Sequence, residues 1–191
     1  MNTPARICAQ LIAFIIAAVL SCGIKAADDA AGATPPFADE DKDWNVAPVT
    51  EVRRTQYHAP TPREVPGARA VSTVELKALL EKDSKPFLVD VLSGPAHRTL
   101  LGAIWMNNGG LGDFDKDEEK RFVDTLAMFS GGDKAKPMVF FCSGAECWLS
   151  YNASLRAVAA GYKNVMWYRG GIESWKKAGL PVSDPTRNER R

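Results

Sequence analysis

The chain has 191 residues, 46% hydrophobic and 25% charged, with 24 basic against 23 acidic side chains. This balance excludes a collagen-like, low-complexity or strongly charged disordered chain, and it excludes an electrostatic nucleic-acid binder. The length suits one ordinary domain with extensions, and four cysteines would by themselves suggest two structural disulfides.

The first residues change that count. Arg6 gives a short basic start, Leu11 to Leu20 is an uncharged apolar core, and Ile24-Lys25-Ala26-Ala27 offers small residues before an acidic stretch. This is the order of a secretory signal peptide over residues 1–26, which predicts export to the periplasm. Two alternatives exist. The uncharged run Ile7 to Ile24 is at the lower edge of a membrane-spanning length. Val19-Leu20-Ser21-Cys22 faintly resembles a lipobox that would lipidate Cys22. Cleavage after Ala26 removes Arg6 and Lys25 from the 24 basic residues, leaving a net charge of −1 and no stable membrane span. Cys8 and Cys22 leave with the peptide, so Cys142 and Cys147 remain.

Residues 27–66 are rich in Ala, Asp and Pro and lack apolar periodicity, which predicts a tail unable to fold alone. Its latter part, Val52 to Gly67, is expected to lie extended along the domain. Ala27 to Asp43 is expected to be mobile and His58 to be solvated. Periodicity begins after that, placing a domain over residues 67–184 and a disordered end over 185–191.

Ser72 with Glu75 is a capping box opening a helix through Leu76, Leu79 and Leu80. Pro86 to Leu92 is an apolar strand broken by Asp90, and Gly102 to Met106 is a shorter one. Asn107 to Gly112 is glycine-rich but lacks the Lys-Ser/Thr ending of a nucleotide loop, and is expected to be a connection near the ligand edge. Asp115 with Glu118 repeats the capping box before a helix that Gly131 and Gly132 stop. Pro137 to Phe141 is a buried strand, Trp148 to Ala160 a helix, Asn164 to Tyr168 a strand and Ile172 to Lys177 a last helix. This alternation predicts an α/β fold with a parallel sheet covered on both faces.

Ligands of such sheets bind at the carboxyl ends of the strands, where Asp90, Met106, Cys142 and Tyr168 fall. Cys142 is the strong nucleophile among them. It opens the loop Ser143-Gly144-Ala145-Glu146-Cys147, which leads into a helix, so backbone amides and a helix amino terminus both favour a thiolate.

The closing stretch Trp167 to Val182, with its glycine pair, Trp175 and Ala178-Gly179-Leu180-Pro181, resembles the carboxyl-terminal signature of rhodanese-like domains. Asp90, Gly102-Ala103-Ile104 and Cys142 also stand where that family has them. The resemblance implies a five-stranded parallel sheet flanked by helices on both faces. It also implies a persulfide carried on Cys142 and cradled by the loop amides, with no other cofactor. The chain departs from the family pattern at Cys147 and Leu92, positions where many rhodaneses have arginine. Losing both guanidiniums removes contacts worth roughly 1.5 to 3 kcal/mol each to an oxyanion, which argues against efficient thiosulfate sulfurtransfer. The related phosphatases need an arginine where Trp148 stands.

Cys142 to Trp148 followed by Leu149 to Ala153, with Gln56 to Pro62 upstream, also resembles a group of exported rhodanese-like proteins with a Cys-Cys-Trp motif. The usual cysteine spacing of that group is shorter than in this chain. The resemblance implies a role in pyrroloquinoline quinone (PQQ)-dependent alcohol catabolism.

Paired cysteines at the two ends of one loop can cycle between dithiol and disulfide, or Cys147 can resolve a persulfide on Cys142. A static disulfide and a zinc site are the alternatives. Zinc needs four ligands, and the chain has only two histidines, so no metal is expected. Ser143, Gly144, Ala145, Glu146, Trp148 and Asp90 complete the candidate site. Glu146 could act as a base, Trp148 could stack a planar group, and His97-Arg98 could supply a missing cation. Two functions remain open. One is an enzyme or carrier that takes sulfane sulfur or redox equivalents from a small sulfur donor or a protein thiol. The other is a catalytically weak module that binds a quinoprotein dehydrogenase, cytochrome c or transport component.

Overall fold

A computed structural model describes residues 37–187. The expected signal peptide, with Cys8 and Cys22, lies outside the described residues, as does 188–191. Among the described residues no helix is long and apolar enough to cross a membrane.

The chain alternates strands and helices in the order β1 (Arg69–Ala70), α1 (Thr73–Leu80), β2 (Phe87–Asp90), β3 (Thr99–Leu100) and β4 (Ile104–Trp105). It continues through α2 (Lys116–Ser130), β5 (Met138–Phe141), α3 (Trp148–Ala159), β6 (Val165–Trp167), α4 (Gly171–Lys177), β7 (Val182–Ser183) and β8 (Thr186–Arg187). Both expected capping boxes form. Ser72 Oγ accepts from the Glu75 amide and Glu75 accepts from the Ser72 amide, and Asp115 and Glu118 do the same at α2.

The main sheet is parallel throughout, in the order β1-β6-β5-β2-β4-β8. Its first five strands form the expected five-stranded sheet, and β8 adds an edge strand from a segment expected to be disordered. The strand expected from Gly102 shortens to Ile104–Trp105. Gly102, at φ 81°, turns the chain, and the Ala103 amide closes the turn on Leu100 O at 3.0 Å. β3 instead pairs antiparallel with β7 in a separate two-stranded sheet.

Strand alternation divides the core. Val89, Val91, Met138, Phe140 and Cys142 pack against Phe122 and Leu126 of α2 and Leu149, Ala153 and Ala157 of α3. Leu88, Val139, Phe141, Met166 and Tyr168 face the other way, onto Leu76 of α1 and Ile172 and Trp175 of α4. Helices therefore cover both faces.

Residues 40–66 form a strap whose later part runs over α3. A proline-rich segment cannot satisfy its own backbone, and α3 supplies the partners. Tyr151 Oη bonds both Val49 N and Val49 O at 2.8 Å. Asn152 accepts from Arg53 N at 2.8 Å and donates to Arg53 O at 2.7 Å and Gly110 O at 2.9 Å. Gly112 N donates to Tyr57 Oη at 2.9 Å, so the glycine-rich run lies against this strap and α3. Of the stretch expected to be mobile, residues 27–36 lie outside the described residues, while Phe37 to Asp43 is held against the domain. A 3-10 turn, Ala38–Asp41, carries Glu40, whose buried carboxylate accepts from Thr73 N at 3.0 Å and Thr73 Oγ1 at 2.5 Å, at the start of α1. The positive end of that helix holds the carboxylate there, while burial raises its pKa.

Asn152→Ala leaves the backbone groups of Arg53 and Gly110 without partners in a part-buried setting. It should lower unfolding free energy by about 3 kcal/mol in urea titrations and make residues 44–57 the first site of limited proteolysis. Stability within a few tenths of a kcal/mol of wild type would show that the strap is not held this way.

Candidate active site

Cys142 leaves β5 directly after Phe141, and Cys147 caps α3. The two are joined by a disulfide with their Cα atoms 6.3 Å apart, inside the range a bridge requires. Both residues are buried, at 1% and 0% exposure.

Every carbonyl of the six-residue loop is engaged. Cys142 O and Ser143 O accept from the amides of Ile172 and Glu173 at 3.0 and 2.8 Å, which docks α4 on the loop. Gly171 makes that approach possible, because it sits at φ 57° and a Cβ there would lie 2.4 Å from Cys142 O. Gly144 O accepts from Cys147 N at 3.1 Å, Glu146 O from Ala59 N at 3.0 Å, and Ala145 O from Thr61 Oγ1 at 2.7 Å. Cys147 O, the N-cap carbonyl of α3, opens the helix's own ladder and lies 3.4 Å from Ser150 Oγ. The amides of residues 143–146, by contrast, have no acceptor among the described residues. A loop with its carbonyls tied away and its amides free favours negative charge.

The strap forms the far wall. His58 pairs with Cys147 as an antiparallel bridge, and Trp148 N donates to Tyr57 O at 2.8 Å. Arg169 anchors the strap to the end of β6. Its guanidinium donates to Thr61 Oγ1 (3.0 Å), Thr61 O (2.9 Å), Glu40 O (2.7 Å) and Lys42 O (2.8 Å), and lies 4.7 Å from the Trp44 ring centroid. Burial lowers its pKa. A cavity of about 350 Å³ is enclosed between strap and loop, lined by residues 143–146 and by Lys42, Trp44, His58 and Glu173.

A parallel sheet flanked by helices, with the cysteine opening a loop at a strand end, is the arrangement the rhodanese-like resemblance implies. The family model for the rhodanese-like domain matches residues 72–178. The chain belongs to the rhodanese-like domain family. No curated protein matches the chain. Solved structures with a similar fold include an EanB variant with a cysteine persulfide in a tetrahedral intermediate state with ergothioneine. It is 23% identical, covering 65% of this chain and 34% of that one, with a TM-score of 0.49. The rhodanese-like domain of the Anabaena sp. Alr3790 protein is 21% identical over 61% of this chain and 80% of its own, with a TM-score of 0.47. A full-length protein from Lactobacillus plantarum is 24% identical over 60% and 87%, with a TM-score of 0.44. The chain thus spans about a third of EanB, at 34%.

Within this rhodanese-like domain the expected residues divide. Cys142, Ser143, Gly144, Ala145, Glu146 and Cys147 are together in the loop, with Glu146 exposed at the cavity. Trp148 is buried and serves the strap. Its indole donates to Pro60 O at 3.1 Å, its ring packs on Tyr151, and Arg53 covers it at 4.6 Å. Asp90 shares the sheet face of Phe141, opposite to that of Cys142. It is fully buried and accepts from His97 Nε2 at 2.7 Å and Leu92 N at 2.9 Å. His97 and Arg98 supply no cation to the loop, because Arg98 donates to Val182 O and His97 is held by Asp90. Sequence reasoning missed Ser150, Trp167, Arg169 and the strap residues Lys42 and Trp44. For Ser150 the available signal was its position one helical turn after Cys147; Arg169 lay inside the signature without a role.

His97 Nδ1 lies 3.1 Å from Pro95 O, so both ring nitrogens face acceptors, which favours the protonated ring. The Asp90 hydrogen bond is the main cause of its raised pKa, with burial and Lys176 opposing it. A folded pKa above the unfolded value near 6.5 contributes stability in full below that value, and the contribution is lost as pH rises through the folded pKa. Urea unfolding of the wild type should therefore weaken from pH 6 towards alkaline pH, and His97→Gln should flatten that slope. An equal slope in both proteins would contradict the assignment.

Proposed function

We propose that the protein is a periplasmic thiol enzyme that reduces sulfane sulfur, or exchanges disulfide equivalents, at Cys142 and Cys147. The observation that carries this reading is the disulfide linking the two ends of the loop, with Cys147 where many family members carry arginine. The reduced loop offers a thiolate at Cys142 beside free amides, and a second thiol within bonding reach.

In the sulfane reaction the Cys142 thiolate attacks the outer sulfur of a hydropersulfide, R–S–SH. The donor S–S bond breaks, R–S⁻ leaves and takes a proton, and Cys142 carries the persulfide. The Cys147 thiolate then attacks the inner sulfur on Cys142, expelling hydrosulfide. The balance is R–S–SH plus two protein thiols giving R–SH, H₂S and the protein disulfide. The sulfane sulfur gains two electrons, and the cysteine pair loses them. Two external thiols recharge the pair and leave as their disulfide, R–S–S–R. The disulfide of this structure is the form such a cycle would leave behind. The loop amides would hold the transient anionic sulfur. Thiosulfate, a dianion, would lack the arginine clamp that charge-assisted recognition needs.

Export is supported by the composition of residues 1–26, and a role in supporting PQQ-dependent alcohol oxidation by the Cys-Cys-Trp resemblance. On this reading the partners are a small sulfur donor or protein thiol and, downstream, a quinoprotein dehydrogenase or cytochrome c.

Pre-reduced protein mixed with glutathione persulfide should release one sulfide per chain and lose two hydrogens in intact mass. Cys147→Ser should instead retain one extra sulfur on Cys142 and release no sulfide. Neither sulfide nor adduct from the wild type would sink the proposal.

A further inference from the structure

Cys142 has a polar neighbour that the proposed reaction has not yet used. Ser150, one turn into α3, is buried at 1% exposure and places its Oγ 3.1 Å from Cys142 Sγ. A disulfide sulfur carries no proton, so the hydroxyl is the only possible donor in that contact. Trp167, at the end of β6 and 0% exposed, donates its indole N–H to the same Oγ at 3.0 Å. The indole can only donate, so it occupies a lone pair of Ser150 and directs the hydroxyl proton away. The acceptors facing that proton are Cys142 Sγ and, at 3.4 Å, Cys147 O.

We propose that Ser150 is a catalytic hydrogen-bond donor to the Cys142 sulfur and that Trp167 is its positioning residue. Together they make Cys142 the sulfur that carries negative charge when the bridge opens. The inference deepens the redox reading of the loop and rests on it. Its consequence is directional. An incoming thiolate R–S⁻ attacks Cys147 Sγ and forms the R–S–Cys147 bond. The Cys142–Cys147 bond breaks, and its electron pair leaves on Cys142 Sγ, to which Ser150 donates. A lower thiol pKa makes a better leaving group, so the mixed disulfide collects on Cys147. A second thiolate then releases Cys147 and yields R–S–S–R. In the opposite sense the same contact supplies the Cys142 thiolate that attacks a sulfane donor. Two buried donors in series are worth more here than in water, because the surrounding core of Val89, Phe140 and Leu149 excludes competing solvent.

The test is the pH dependence of iodoacetamide alkylation at Cys142 in the fully reduced full chain, read peptide by peptide by mass spectrometry. The midpoint is compared rather than the rate, so reagent access scales out. Ser150→Ala should raise the Cys142 midpoint by about one pH unit, a tenfold loss of acidity. Ser150→Thr, which keeps the hydroxyl, should restore most of it, and Trp167→Phe should raise the midpoint part of the way. The Cys147 midpoint should move less than that of Cys142 in every variant. A Cys142 midpoint unchanged in Ser150→Ala, or moved equally in Ser150→Thr, overturns the assignment. The outcome is separable from the redox reading: a shifted midpoint in a protein whose pair never exchanges with thiols would keep Ser150 as donor and remove the redox function.

Discussion

The architecture of the site depends on one buried cation. Arg169 stands where β6 meets α4 and spends its guanidinium on oxygens of Glu40, Lys42 and Thr61. Those residues belong to a segment whose composition cannot support a fold of its own. A desolvated guanidinium is costly unless its donors are satisfied, and the strap carbonyls satisfy them. In return the strap is fixed against the Cys142 loop, where Thr61 bonds Ala145, Ala59 bonds Glu146 and Tyr57 bonds Trp148. The cavity beside the loop is therefore built partly from residues outside the span that matches the family model.

The loop is shaped by what happens to its carbonyls. α4 takes two, the strap takes two, and α3 and the loop itself take the others. With the acceptors fixed, the amides of residues 143–146 are left without acceptors among the described residues, and Cys147 closes the curl by bonding Cys142. In a loop ending in arginine the closing residue supplies a permanent positive charge. In this loop it supplies a second sulfur, which adds no charge and can exchange electrons. On the proposed reading, that substitution moves the chemistry from binding an oxyanion to passing a pair of electrons, while the same fold presents the nucleophile.

Much of this was legible in the sequence. The capping boxes at Ser72 and Asp115, the uninterrupted apolar run Met138 to Phe141 and the turn glycines set the order of elements, because each is a local rule with a local outcome. Cys142 at a strand end and Cys147 at a helix start followed from the same boundaries. What could not be read was anything decided by pairing across the chain. Asp90 looked like a site residue because it lies at a strand end. Strand alternation placed it on the face opposite Cys142, where His97 and Leu92 occupy its carboxylate. Trp148 at a helix start could stack a planar group or pack, and the strap that covers it decides for packing. The strap had no periodicity to announce it, since its partners Tyr151, Asn152 and Arg169 lie about a hundred residues away. Ser150 and Trp167 are unremarkable in sequence and gain meaning only from a shared contact with one sulfur.

The central claim is that Cys142 and Cys147 form a working redox pair rather than a static staple. Equilibrating the full-length protein with glutathione buffers of stepped redox poise, then trapping and weighing it, tests this most directly. One reversible two-electron transition is expected within the range of cellular glutathione, confined to these two cysteines and absent in Cys147→Ser. A pair that stays bridged at every poise, or stays reduced at every poise, would contradict it.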